Sequence, residues 1–66
     1  MMSTMILNDT QKGFTVGDRV IWSRHPELGV GKIEYIYKDY LIEMTFFRDG
    51  SRRDGFIWEV KSIYNK

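Results

Sequence analysis

The sequence predicts an all-β fold, a small five-stranded antiparallel barrel preceded by a flexible N-terminal tail. Short runs that alternate apolar and polar residues are separated by Gly, Pro and Asp. No segment keeps a helical period over the roughly 11 residues that a helix signal needs. A flat sheet would leave one aromatic-rich face in water, whereas a curled sheet encloses one side of every strand and removes most open edges.

The chain has 66 residues and no Cys, which allows one small domain without disulfides. Residues 1–12 are expected to be a flexible tail, because polar residues surround the apolar trio Met5-Ile6-Leu7 without a lasting period. Alternatively, the trio folds back on an exposed patch or adds an edge strand. The barrel is assigned to residues 13–66.

The first strand is expected over about Asp18–Ser23, where alternation places Val20 and Trp22 on one face. Pro26 then interrupts the strand, because proline cannot donate a backbone hydrogen bond to a neighbouring strand. Residues His25–Gly29 are therefore predicted to form a loop rather than a hairpin tip.

The second and third strands are expected over about Gly31–Tyr37 and Tyr40–Phe47, with a tight two-residue connection at Lys38-Asp39. The strict period of two assigns alternate side chains to opposite faces of each strand. Across all strands, the expected interior residues are Val20, Trp22, Ile33, Tyr35, Ile42, Met44, Phe46 and Ile57.

The clearest hairpin turn is Arg48-Asp49-Gly50-Ser51, because Asp-Gly accepts the positive φ angles of tight turns. It leads into a fourth strand over about Arg52–Trp58. The segment Glu59–Tyr64 is expected to form a 3₁₀ turn and a fifth edge strand, with Val60 and Ile63 as apolar contacts. Three glycines are expected at bends or close backbone approaches, namely Gly29, Gly31 and Gly55.

Catalysis, a metal site and a cofactor are not expected. His25 is the only histidine, and Glu27 beside it would complete at most a two-ligand site. The serines have only this histidine as a possible base. A chain of this size also assembles few convergent polar groups, so we expect neither an enzyme nor a small-molecule substrate.

The charge balance and the hydropathy of the chain limit the classes of partner that we expect. Ten basic and nine acidic residues give a net charge of +1, so any charged binding surface must be local. No apolar run approaches the roughly 20 residues that span a bilayer, and no leader pattern opens the chain. We therefore expect a cytoplasmic protein with no membrane partner.

The aromatic residues, 15% of the chain, exceed what so small a barrel can enclose. We expect Tyr37, Tyr40, Phe47, Phe56 and Trp58 to be partly exposed. Exposed aromatics near arginines are typical of protein interfaces and of surfaces that stack single-stranded nucleic acid. The alternative is a second small core under the tail and the C-terminal segment.

Arginines flank the predicted hairpin tip. They would bind phosphates or an acidic protein surface, or they belong to a solvated turn in which Asp49 and Asp54 offset their charge. The residues predicted to bind a partner are Tyr37, Tyr40, Phe47, Trp58, Arg48, Arg52 and Arg53.

Two successive runs, Phe14–Trp22 and His25–Ile33, together form one pattern. It consists of a Gly-Asp turn into an apolar strand, a loop with a His or Pro, and then Gly-x-Gly into a β-branched strand. This pattern resembles the opening of bacterial Tudor-like, SH3-like barrels. Examples are the RNA-polymerase-interacting domains of CarD-type regulators and of the transcription-repair coupling factor, the C-terminal Tudor domain of UvrD/PcrA-type helicases, and the N-terminal domain of the ATPase RapA. The resemblance covers about Phe14–Ile36.

The resemblance implies an accessory module that docks on RNA polymerase or a related nucleic-acid machine by sheet-edge pairing and aromatic or basic contacts. No helicase, translocase or helical DNA-binding domain is present in these 66 residues, so we expect a small adaptor or inhibitor. Tudor-like and KOW-like barrels also bind nucleic acid directly, which is the alternative function. A third reading is an aromatic cage for methylated lysine or arginine.

Overall fold

The predicted all-β class is confirmed in the computed structural model, which describes residues 7–8, 10–11 and 13–63. Strands and two short 3₁₀ helices, Pro26–Leu28 and Ile57–Glu59, make up its regular structure, and the described part of the chain has no α-helix. The strands are β1 (Leu7–Asn8), β2 (Thr10–Gln11), β3 (Phe14–Thr15), β4 (Arg19–Trp22), β5 (Val30–Tyr37), β6 (Leu41–Phe46), β7 (Arg52–Phe56) and β8 (Val60–Ser62).

Five strands form one antiparallel sheet in the order β7-β6-β5-β4-β8. The long strand β5 pairs with β4 through its first half and with β1 through its last residues. A separate pair joins β2 and β3. The described pairings leave β7 and β8 at opposite ends of the strand order, so closure of the sheet into a barrel is not confirmed.

The residues predicted as a flexible tail contain two of these short strands. Leu7 and Asn8 lie opposite Tyr37 and Ile36 at the edge of β5, as in the alternative in which the apolar trio adds an edge strand. The other positions of residues 1–12, like residues 64–66, lie outside the described residues.

Strand β5 contains an irregularity that corrects one predicted core residue. The pairing with β6 runs from Ile33 opposite Met44 to Tyr35 opposite Glu43, so Glu34 is an extra residue. One extra residue reverses the alternation of side chains beyond it. Tyr35 is consequently 40% exposed, against the prediction that it is interior, and Ile36 is completely buried in its place.

The core lies on one face of the sheet and contains no polar residue among those described. The prediction is confirmed for every interior residue except Tyr35. The buried residues are Val20, Trp22, Ile33, Ile36, Ile42, Met44, Phe46, Ile57 and Val60. Gly31 confirms the expected close approach, because a Cβ there would lie 2.8 Å from Cε1 of Phe46.

The hairpin between β6 and β7 is also confirmed. Gly50 has a φ of 73°, and its N–H donates to the carbonyl of Phe46 over 2.8 Å. The hairpin between β5 and β6 is one residue longer than predicted. Tyr40 does not begin β6 but ends the turn, with a φ of 71° and its N–H donating to the Tyr37 carbonyl.

The C-terminal segment differs from prediction in two details. The chain leaves β7 after Phe56, so the 3₁₀ helix begins at Ile57, inside the predicted fourth strand. The fifth strand pairs with β4 and buries Val60 as expected. Ile63, predicted as an apolar contact, is instead 43% exposed, because it follows β8 on the outer side of the sheet.

Candidate protein interface

Three exposed aromatic side chains, Tyr40, Phe56 and Trp58, meet at one end of the sheet. The rings of Phe56 and Trp58 are stacked, with centroids 4.8 Å apart and planes 2° apart. The ring of Tyr40 lies 6.0 Å from that of Trp58 at 52°. We call this cluster the aromatic triad. All three side chains are exposed, Trp58 the most, at 63%.

The backbone fixes the positions of the triad residues. Tyr40 ends the β5–β6 turn, and its carbonyl accepts a 2.9 Å hydrogen bond from the N–H of Ile57. Phe56 is the last residue of β7, opposite Leu41 on β6. Trp58 lies in the 3₁₀ helix that begins directly after β7. This change from strand to 3₁₀ helix brings Phe56 and Trp58, two positions apart in the chain, onto one surface.

The Glu59 carboxylate links the triad to β4 and to the segment after it through hydrogen bonds. Its Oε1 atom accepts hydrogen bonds from the backbone N–H of Phe56 at 3.0 Å and from Nε1 of Trp22 at 3.2 Å, and Oε2 accepts from Arg24 at 3.3 Å. These donors, the Phe56 N–H first, lower the pKa of the Glu59 carboxyl. The triad therefore sits on a hydrogen-bonded support rather than on a free loop.

Strand β7 beside the triad is an edge of the sheet. Hydrogen bonds from Phe46 to the Ser51 carbonyl and from Ile57 to the Tyr40 carbonyl mark the bonded pairs at its two ends. Because bonded and non-bonded pairs alternate in antiparallel sheets, the backbone groups of Arg52 and Asp54 point away from β6. No described strand pairs with this side of β7, so these groups face an open edge.

Two of the predicted aromatic site residues, Tyr40 and Trp58, belong to the triad. Phe47 does not, because it follows the opposite end of β6, roughly 20 Å along the strand from Tyr40. Tyr37 lies against the ring of Tyr35, with centroids 6.4 Å apart. Its hydroxyl donates to Oε1 of Glu43 over 3.3 Å. Loss of hydration and then the Glu43 charge raise the pKa of Tyr37.

The three predicted arginines have different surroundings. Arg52 forms an ion pair with Glu43, and Arg48 donates to the backbone carbonyl of Glu27 over 2.6 Å. For Arg53, on the edge strand, no ion pair is described. Arg53 is therefore the one of the three whose charge lies beside the open edge with no carboxylate bound to it in the described structure.

The sequence interpretation missed the site roles of Phe56 and Glu59. Phe56 was expected to be exposed but was not assigned to the partner surface. The spacing Phe56-Ile57-Trp58 would put both aromatic rings on one side of a strand, which is a usable signal. The role of Glu59 depends on Trp22 and Arg24, which are distant in sequence, and no local pattern indicates it.

Comparisons with protein-family models, curated proteins and solved structures give no match to this chain. The described residues contain no group of three or more His, Asp or Glu side chains placed to hold a metal ion. None of the described helices is long and apolar enough to cross a membrane.

Proposed function

We propose that this chain is a non-catalytic binding module, an SH3-like or Tudor-like barrel that docks on another protein through the aromatic triad and the open edge of β7. The observation that carries the proposal is the exposure of Trp58, which is 63% accessible although it is stacked on Phe56. Tryptophan and tyrosine are enriched among the residues that dominate binding energy at protein interfaces.

The support beneath the triad favours binding. Ordering a side chain at an interface costs about 0.5–1.5 kcal/mol. The stacking of Phe56 and Trp58, and the hydrogen bond from the Phe56 N–H to Glu59, restrict the triad before a partner arrives. A pre-ordered aromatic surface loses less conformational entropy on association than a mobile one.

The open edge of β7 gives the proposed partner a backbone to bind. An extended segment would pair with the outward N–H and C=O groups of Arg52 and Asp54, and an apolar side chain of that segment would contact the triad. Arg53 lies on this edge strand, and its charge favours acidic residues on the partner and orients it.

RNA polymerase, or another protein of transcription or DNA metabolism, is the partner that the resemblance to bacterial Tudor-like domains implies. In this proposal the chain acts as a small adaptor or inhibitor. Its binding determinants are the triad and the β7 edge, and it contributes no catalytic group to the complex.

Biolayer interferometry with immobilised chain and purified bacterial RNA polymerase core enzyme tests the proposal. Trp58→Ala removes the exposed ring, and Tyr35→Ala is the matched control, since Tyr35 is an exposed aromatic outside the triad. Asp54→Pro removes an N–H that faces the edge, a position where proline is tolerated in sheets. Tryptophan fluorescence, to which buried Trp22 contributes in every variant, reports whether each variant is folded.

The expected result is binding that Trp58→Ala and Asp54→Pro each weaken at least tenfold and that Tyr35→Ala preserves. If polymerase does not bind, proteins retained from an extract are identified by mass spectrometry and purified for the same measurements. A transcription or DNA-metabolism protein that shows the same variant pattern supports docking. Binding that survives both Trp58→Ala and Asp54→Pro contradicts it.

A further inference from the structure

A second surface lies on the outer face of the sheet, at the end of β6 opposite the triad. One row across the strands is formed by Arg19, Lys32, Thr45 and Arg52, which lie directly opposite one another in turn on β4, β5, β6 and β7. Their chain neighbours Val20, Ile33, Met44 and Phe46 are buried, so this row points outward. Three of its four side chains are cationic.

The adjacent row ends on an exposed aromatic ring. Lys61 lies opposite Ile21, and Ile21 lies opposite Val30. The N–H of Phe47 donates to the Val30 carbonyl over 3.1 Å, which places Phe47 at the end of the row. Phe47 is 55% exposed. We call the two rows together the basic face, and no carboxylate occupies any of their positions.

The charges of the basic face are only partly balanced. Lys32 lies 3.7 Å from Glu34 and Arg52 is paired with Glu43, both outside the two rows. No ion pair of Arg19 or Lys61 is described. Arg19 is also directly opposite Lys32, and like charges at directly opposed positions destabilise a strand pair. This arrangement does not favour folding, whereas it would favour an anionic ligand.

The position of Phe47 indicates which kind of anion the basic face would bind. The guanidinium carbon of Arg19 lies 4.8 Å from the centroid of the Phe47 ring, so a cation and an exposed aromatic surface occupy one spot. Adjacent strands are about 4.8 Å apart, and outward residues along a strand are about 6.8 Å apart. The face therefore offers regularly spaced cations beside a ring on which a flat base can stack. A polyanion made only of carboxylates would use the cations but not the ring.

We infer that the basic face binds single-stranded nucleic acid, with Arg19, Lys32 and Lys61 contacting phosphates and Phe47 stacking on a base. Single-strand binding surfaces combine cations that follow the backbone with aromatic rings that accept any base. This inference does not depend on the proposed protein docking, because it uses neither the triad nor the edge of β7.

Fluorescence anisotropy with fluorescein-labelled dT12 and rU12 tests the inference. Each phosphate contact on a single strand contributes a slope of about −0.7 to the dependence of log K on log salt concentration. Three contacts predict a slope of about −2, and Arg19→Gln or Lys61→Gln should each make it shallower by about 0.7. Phe47→Ala should weaken binding about 5- to 150-fold, the loss expected for one stacked base.

Two controls separate this site from general attraction between charges. Lys38→Gln removes one positive charge from an exposed turn outside the basic face and should leave affinity and slope unchanged. Labelled oligoglutamate of equal charge should bind more weakly than either oligonucleotide and should not respond to Phe47→Ala. The tighter of dT12 and rU12 identifies the preferred oligonucleotide.

Several outcomes overturn the inference. One is the absence of binding to both oligonucleotides at 20 mM salt. Another is a Lys38→Gln effect equal to that of Lys61→Gln, which would mean that net charge alone drives binding. A third is oligoglutamate binding as tight as oligonucleotide binding. Loss of protein docking in Trp58→Ala with unchanged oligonucleotide binding would show that the two surfaces are separate.

Discussion

Because Glu34 is an extra residue in β5, Ile36 and not Tyr35 should contribute to the stability of the core. A strand that alternated strictly would give the opposite prediction. Ile36 is completely buried and Tyr35 is 40% exposed. Removing one methylene in Ile36→Val should lower the free energy of unfolding by about 0.5–1.5 kcal/mol, and Ile36→Ala by about 2–5 kcal/mol. A domain of this length is stable by only about 3–10 kcal/mol, so Ile36→Val is the safer quantitative variant. Tyr35→Ala should cost less than about 1 kcal/mol, as exposed substitutions do.

Urea denaturation followed by tryptophan fluorescence, to which buried Trp22 and exposed Trp58 both contribute, measures these differences. The midpoint should shift with the slope unchanged, and Ile36→Val should lower the melting temperature by roughly 2–12 °C for a domain of this size. If β5 alternated without interruption, Tyr35 would be the core residue. Tyr35→Ala would then be strongly destabilising and Ile36→Val nearly neutral, a result that would refute the assignment.

Three further predictions concern single positions. Glu59 has a pKa below its ordinary value of 4.5, so its stabilising contribution is complete above that value and is lost as the pH falls through the lower folded pKa. Glu59→Gln should therefore flatten the acid limb of stability against pH in urea titrations, and an unaltered limb would count against this role. Gly50→Ala should cost about 1 kcal/mol in thermal unfolding because of its φ of 73°, whereas Gly50→Asn should cost less, and equal losses would contradict the conformational explanation. Gly31→Val should cost about 1–3 kcal/mol by overpacking against Phe46, so an unchanged urea midpoint would be inconsistent with that contact.

The expectations for the fold followed mainly from local features. The Asp-Gly pair at Gly50 and the alternation through β4 and β6 located a hairpin and two strands to within a residue or two. The turn before β6 was harder. Tyr40 adopts a positive φ that its residue type does not indicate, so the extra turn residue could not be anticipated.

The candidate interface was predicted in part. Tyr40 and Trp58 were expected to be exposed because the chain has more aromatic residues than its interior can hold, and both are in the triad. Tyr37 and Phe47 were grouped with them, but neither belongs to the triad. Which aromatic residues meet depends on how the strands align. Register placed Phe47 near Arg19 instead, and a cation–aromatic contact between residues 28 positions apart has no local signature.

The sequence by itself determined the all-β class, the strand that carries each apolar run and the excess of aromatic side chains. These properties depend on periodicity, turn residues and composition, which act over a few neighbouring positions. The tertiary structure alone decided that Ile36 rather than Tyr35 enters the core, that Phe56 joins Tyr40 and Trp58, and which cations share a row. Strand register links residues distant in the chain, and one extra residue in a strand reverses every side chain beyond it.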